Sequence, residues 1–327
     1  MHLTTRLKKS KKIIRLVRPF EVSASDLIYP MFVREDGKRF AIPSMKGQEY
    51  LSLNDAVSAC GEAMDLGISG VMIFGVIKAK DADASVALSK DAFHRKIFKK
   101  LKNEFGEDLV LVSNVCLCDY TKDEFCVYSE NGKVLNEKTA EMLGRISVVH
   151  AAAGADVVAP AAMCDGQVRH MRQALDDAGL DEVAIMSYVK TDSCLFKPFK
   201  EAMSSSDACA FEGVDSSKSR TDIINAKMFM QKMELDISEG ADIVIVKPAL
   251  TNLDLILRVK QKYSTMPIAA YQVSGEYAMI NLLSEHAHLD EDALLLETLN
   301  SIKRSGADMI LTYHALKAAS LLNSRKI

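Results

Sequence analysis

The 327-residue sequence predicts an α/β fold of the (β/α)8 type, a TIM barrel, behind an extended N-terminal arm. Three observations carry that expectation. Short runs rich in Ile and Val recur along the chain, as strands of a parallel sheet buried on both faces do. Most of these runs are separated by stretches with helical apolar spacing. Three of them follow one phrase, Gly154-Ala155-Asp156, Gly240-Ala241-Asp242 and Gly306-Ala307-Asp308, which reads as a helix-capping glycine and a tight turn into a strand. A doubly wound sheet is the competing topology, and the absence of a glycine-rich dinucleotide fingerprint after the early strands counts against it.

Residues 1–25 form a basic arm with few core positions, expected to be disordered or packed on another subunit, and residues 26–327 form the barrel. The first strand is expected at 26–33, where Pro30 favours a strand start or an irregularity over a central paired position. A turn at 36–38 and a helix at 53–67 lead to the second strand, 70–76. A basic amphipathic helix at 92–105 precedes the third strand, 108–116. The fourth strand, 155–160, follows a long helix at 136–153. The fifth, 183–188, follows a helix at 166–179. Residues 201–220, rich in Ser, Gly and Asp, read as a long loop of the kind that covers a site. A helix at 223–240 leads into the sixth strand, 242–247. The seventh strand, 267–274, follows a helix at 253–263. Helices at 276–286 and 290–305 precede the eighth strand, 308–313, and a helix at 315–322 ends the barrel.

Composition narrows the function. Hydrophobic residues make up 48% of the chain, enough for a sizeable core, and 41 basic against 44 acidic residues give a net charge of −3. That balance offers no electrostatic footprint for nucleic acid or a membrane surface. No apolar run reaches the ~18 residues of a membrane-spanning helix. The basic start lacks the apolar segment of a secretory signal, so the seven cysteines are expected as reduced thiols in the cytoplasm.

In a barrel the chemistry sits where strands end. The stretch DIVIVKPAL (242–250) puts Lys247 at the end of a buried strand, and Pro248 stops the pairing there. Partial desolvation lowers an amine's pKa and makes it a Schiff-base nucleophile; a lysine at a strand exit can equally keep its head in water. Cys116 and Cys118, Lys190, Ser274 and Tyr313 end other strands, and the topology converges all of them on one mouth. Cys116, Cys118 and Cys126 have the spacing of a three-thiolate metal site with an open fourth position, or of three buried free thiols. Lys190 lies among other lysines and alone reads as a surface residue. His286 and His288 read as a solvated face, and Met228, Met230 and Met233 as core packing of one helix.

These residues together resemble the 5-aminolevulinate dehydratase (porphobilinogen synthase) family over nearly the whole chain, through TTRLKKSKKIIRLVR, SDLIYPMFV, VCLCDYT with Cys126, IVKPAL, YQVSGEYAMI and ILTY. The resemblance implies a TIM barrel, an arm embracing a neighbour in a homo-oligomer, usually an octamer, and condensation of two 5-aminolevulinate molecules to porphobilinogen. It implies that Lys247 forms the Schiff base with the first substrate, whose carboxylate Ser274 and Tyr313 hold. Lys190 matches the lysine of the second substrate once one residue is deleted before it. Cys116, Cys118 and Cys126 match a Zn2+ triad.

The departures from the family lie near the second lysine. Asn114 stands for an aspartate, Ala161 and Ala162 for a serine and an aspartate, and Ala226 for an arginine. Lys200 replaces an arginine and keeps the charge without the bidentate fork. Lys232 stands where a glutamate would bind an allosteric magnesium. On this pattern the chain is expected to be a synthase with reduced turnover. The alternatives are an impaired paralogue that binds 5-aminolevulinate and a Schiff-base lyase or aldolase acting on a related amino-keto acid.

Overall fold

The computed structural model describes residues 4–203 and 220–324. Eight parallel strands close on themselves: β1 (Leu27–Arg34), β2 (Gly70–Val76), β3 (Val110–Val115), β4 (Val157–Pro160), β5 (Ala184–Lys190), β6 (Ile243–Lys247), β7 (Ile268–Gln272) and β8 (Met309–Thr312), with β8 paired back to β1. The helices lie outside, as α1 (Leu53–Asp65), α2 (Phe93–Phe105), α3 (Asn136–Ala151), α4 (Gln167–Asp177), α5 (Ala226–Ser238), α6 (Leu253–Lys262), α7 (Ser274–His286), α8 (Glu291–Arg304) and α9 (Ala315–Ser324). Side chains alternate along each strand, so two cores form. Ile28, Phe32, Met72, Phe74, Val112, Met186, Tyr188, Ile245, Tyr271 and Leu311 fill the barrel. Val71, Ile73, Leu111, Val158, Ile185, Val244 and Ile310 face the helices. Each fully buried aliphatic or aromatic side chain of this kind contributes about 1.5–3 kcal/mol.

The strand-opening aspartates do more than mark turns. Asp156, Asp242 and Asp308 accept from the backbone N–H groups of Leu111, Ile185 and Ile268 at 2.9, 2.8 and 2.8 Å. Their own N–H groups return bonds to the carbonyls of the same three residues. The barrel is thereby clasped at its lower rim in the pairs β3–β4, β5–β6 and β7–β8. Gly154 and Gly306 hold φ of 113° and 112°, and a Cβ there would lie 2.6 and 2.8 Å from the Cβ atoms of Lys102 and Lys260. Those lysines bind Asp156 and Asp308 at 2.7 and 2.8 Å, so glycine is what lets the salt bridge seat against the turn.

Several expectations are corrected. Pro30 sits in the middle of β1, paired with Met72. The Glu35 N–H donates to Val76 O on the β2 side. Alternation therefore turns the nitrogen of Pro30 to the opposite edge, between the segments paired to β8 and to Phe32–Val33's partner strand Glu49–Leu51. No ladder bond is lost. Strand β5 runs on to Lys190, two residues past its expected end, while β7 and β8 stop before Ser274 and Tyr313. Ser274 instead opens α7. A short helix, Lys197–Met203, takes in the start of the expected loop at 201–220, and residues 204–219 of that loop lie outside the described residues. Met233 is buried but Met228 is half exposed, so only part of that methionine row packs the core. Among the described residues no helix is long and apolar enough to cross a membrane.

Candidate active site

The alternation that fills the barrel also selects what reaches its mouth. Met186 and Tyr188 point inward, so Lys190 does; Ile243 and Ile245 point inward, so Lys247 does. Lys190 and Lys247 are register partners across β5 and β6. Beyond them Asn252 donates to Thr191 Oγ1 at 2.9 Å and to Pro248 O at 3.0 Å, joining the two exits.

The Lys247 ammonium nitrogen stands over aromatic rings, 4.7 Å from the centroid of Tyr271, 4.9 Å from Phe199, 5.1 Å from Phe196 and 5.3 Å from Tyr188. Burial first, then the positive charges of Lys190 and Arg220, push its pKa down to about 7. Half of this amine is therefore neutral near physiological pH, which is what attack on a carbonyl requires. Lys190 is buried, 7% exposed, and is no surface lysine: its Nζ donates to Ala161 O at 2.6 Å and lies 4.0 Å from Cys126 Sγ.

The three expected thiols converge. Strand β3 ends at Val115, so Cys116 and Cys118 are not strand neighbours; a 3-10 turn over Leu117–Asp119 brings their sulfurs to 3.0 Å. With Cys126 the sulfurs lie within 4.8 Å of one another, and Cys118 and Cys126 are only half-buried. Hydrogen bonds from Cys116 and Cys118, then the charges of Lys190 and Arg220, hold the Cys126 thiol well below its usual pKa. Three sulfur ligands within reach of one ion, two of them half-buried, fit a soft divalent ion.

Ser274 Oγ accepts from Phe199 N at 2.9 Å and donates to Leu195 O at 3.2 Å. Tyr271 OH donates to Tyr313 OH at 2.8 Å, leaving the Tyr313 proton for another acceptor. Tyr313 stacks on Phe32 with centroids 5.9 Å apart, and burial raises its pKa. Lys200, half-buried, has its pKa lowered by burial and by Arg220.

Two residues escaped the sequence reading. Arg220 binds Asp192 at 2.6 Å, lies 5.2 Å over the Phe196 ring and adds a fourth cation to the mouth. Its sequence setting, the end of a polar loop, carries no signal. Asp119, 1% exposed, accepts from Asn114 Nδ2 at 2.9 Å and lies 3.6 Å from Cys118 Sγ. A carboxyl group thus stands beside Asn114, five residues later in the chain, with its pKa raised to about 7 by burial.

A closed parallel barrel with two lysines side by side at its mouth has the build of a barrel enzyme, whose chemistry sits at the carboxyl ends of the strands. The chain matches the family model for Delta-aminolevulinic acid dehydratase over residues 2–321. It is 43% identical over 314 residues to the Delta-aminolevulinic acid dehydratase of Methanothermobacter thermautotrophicus, covering 95% of this chain and 94% of that one. The enzyme of the same name from Synechococcus elongatus is 40% identical over 327 residues, 98% of each chain. A crystal structure of delta-aminolevulinic acid dehydratase (porphobilinogen synthase) from Toxoplasma gondii, in complex with the reaction product porphobilinogen, superposes with a TM-score of 0.93 at 34% identity, covering 98% of this chain and 91% of that one. The chain belongs to the delta-aminolevulinic acid dehydratase family.

Proposed function

We propose that this chain is a porphobilinogen synthase, joining two 5-aminolevulinate molecules with loss of two waters on the path to tetrapyrroles. The observation that carries the reading is the register pairing of Lys190 with Lys247 beside the cysteine triad. The neutral Lys247 amine attacks the ketone of the first substrate, and water leaves as the Schiff base forms. The Tyr313 proton, and the Ser274 hydroxyl once it turns from Leu195 O, take that substrate's carboxylate. Lys190 and Lys200 orient the second substrate, with its carboxylate drawn to the cationic side of the mouth. Cys116, Cys118 and Cys126 would hold Zn2+, which when bound supplies Lewis-acid polarisation of the second substrate.

The same reading makes residues 1–25 an arm that reaches a neighbouring subunit in a homo-oligomer, an octamer, with residues 26–327 as the catalytic barrel. In support, Lys11–Leu16 forms a helix with no buried residue, and Leu7, Leu16 and Val17 are exposed. Free thiols at Cys60, Cys116, Cys118, Cys126, Cys164 and Cys194 support a cytoplasmic setting. Incubation of the purified protein with zinc and 5-aminolevulinate tests the function: porphobilinogen should accumulate, and borohydride should fix the substrate on Lys247. No product and no adduct would sink the reading.

A further inference from the structure

Resting on the reading of Lys190 as the lysine of the second substrate, we infer that Lys232, outside the barrel on α5, is a positioning residue that holds the Ala161 carbonyl against Lys190 through a buried chain of hydrogen bonds. Lys232 and Asp236 pair at 2.6 Å with side chains 9% and 0% exposed. A buried ion pair adds little net stability over an apolar pair of similar size, so stability alone does not account for this one. Lys232 Nζ also donates to Cys164 O at 3.0 Å. The second oxygen of Asp236 accepts from Ser187 Oγ at 2.8 Å, and Ser187 Oγ accepts from Gln167 Nε2 at 3.1 Å. Gln167 Oε1 then accepts from Met163 N at 3.0 Å.

The short segment Ala161–Cys164 is therefore gripped from behind at two adjacent residues, at Met163 N and at Cys164 O. The grip has a strained conformation to hold, because Met163 has φ of 65°, in the left-handed region that a methionine rarely adopts. The front of the same segment meets the site: Ala161 O accepts from Lys190 Nζ at 2.6 Å, and Met163 Sδ lies 3.3 Å from Lys190 N. Every link from Lys232 to the Lys190 amine is thus a hydrogen bond or backbone within the four-residue turn Ala161–Cys164. Without the grip the turn relaxes toward an ordinary φ, the carbonyl swings, and Lys190 loses the acceptor that orients its ammonium.

The test reads Lys190 directly. Lys232→Met/Asp236→Leu replaces the ion pair by an apolar one without leaving a lone buried charge, and Ser187→Ala cuts the chain at its middle should the double variant not fold. Pulsed acetylation, followed by peptide mass spectrometry with exposed Lys197 as reference, reports the reactivity of Lys190. Releasing the amine from its hydrogen bond to Ala161 O should raise Lys190 labelling by about threefold or more. Borohydride trapping of 5-aminolevulinate on Lys247 should stay within about twofold, while KM for porphobilinogen formation rises, since loss of orientation falls on the second substrate. Unchanged Lys190 labelling in a folded variant overturns the inference, whatever its melting temperature. Altered labelling in a protein that makes no porphobilinogen even when unaltered upholds the positioning role and overturns the proposed function instead.

Discussion

Lys190 lies beside Lys247 as its register partner, and its positive charge is one cause, after burial, of the lowered pKa of the Lys247 amine. The two lysines are therefore coupled electrostatically as well as by position. Lys190 thereby helps set how much of the Lys247 amine is neutral.

The first expected outcome concerns pH. Lys247 attacks only as the neutral amine, and its pKa is about 7. The initial rate of borohydride trapping should rise with pH to a plateau above 7 and fall about tenfold per pH unit well below it. Lys190→Met removes a neighbouring positive charge, which favours protonation of Lys247, so the midpoint should move to higher pH. A midpoint that stays in place would show that the Lys190 charge has no part in setting it.

Metal content is the second. The purified protein should hold about one Zn2+ per chain at the three thiols. Cys118→Ser exchanges a thiolate for a poor hydroxyl ligand and should lose the metal together with porphobilinogen formation. Chelator should abolish activity in the unaltered protein, and full activity in chelator would make the thiols mere packing residues.

Asn114 and Asp119 offer a reciprocal exchange. Their side chains meet at 2.9 Å inside the barrel mouth. Asn114→Asp alone sets two carboxylates together, and Asp119→Asn alone removes the only carboxylate of the pair; both should lower turnover, by about tenfold or more. The double exchange Asn114→Asp/Asp119→Asn restores one carboxylate and one amide and should recover most of it. Additive losses would show that position, not pairing, matters.

At the other end of the barrel, Asp308→Ala takes the acceptor from Ile268 N and the partner from Lys260. Asp308 is partly exposed, so the ion pair counts for little, and the cost should be about 1–3 kcal/mol, chiefly the stranded N–H. Denaturant unfolding should register that loss while trapping on Lys247 is unaffected. A fall in trapping would mean that the lower rim and the mouth are not independent.

The barrel was legible because strands buried on both faces read as apolar runs, and helix ends carry glycine. The strand ends were not, because the rule that marks a strand is apolarity, and the mouth is where inward positions turn polar. Lys190 looked like a loop residue for that reason, although the parity of Met186 and Tyr188 already pointed it inward. Lys247 was legible because Pro248 marks its strand end. Asp119 and Arg220 gave no signal, since their meaning lies in partners that only the folded chain brings near, Asn114 across a turn and Asp192 across a loop. Asn114, Ala161 and Ala162 read as losses, and the fold sets the Asp119 side chain beside Asn114 and the Ala161 carbonyl against Lys190.

The aspartate clasps at the lower rim divide the ring unevenly. Their side chains tie β5 to β6 but neither β4 to β5 nor β6 to β7. When the wall breathes, it should part along the unclasped seams, and each clasped pair should move as one plank. Both amines ride on the same plank. Local opening along the unclasped seams would leave the spacing of the two nitrogen-bearing strands unchanged, so motion of the wall is kept apart from the spacing needed for bond formation.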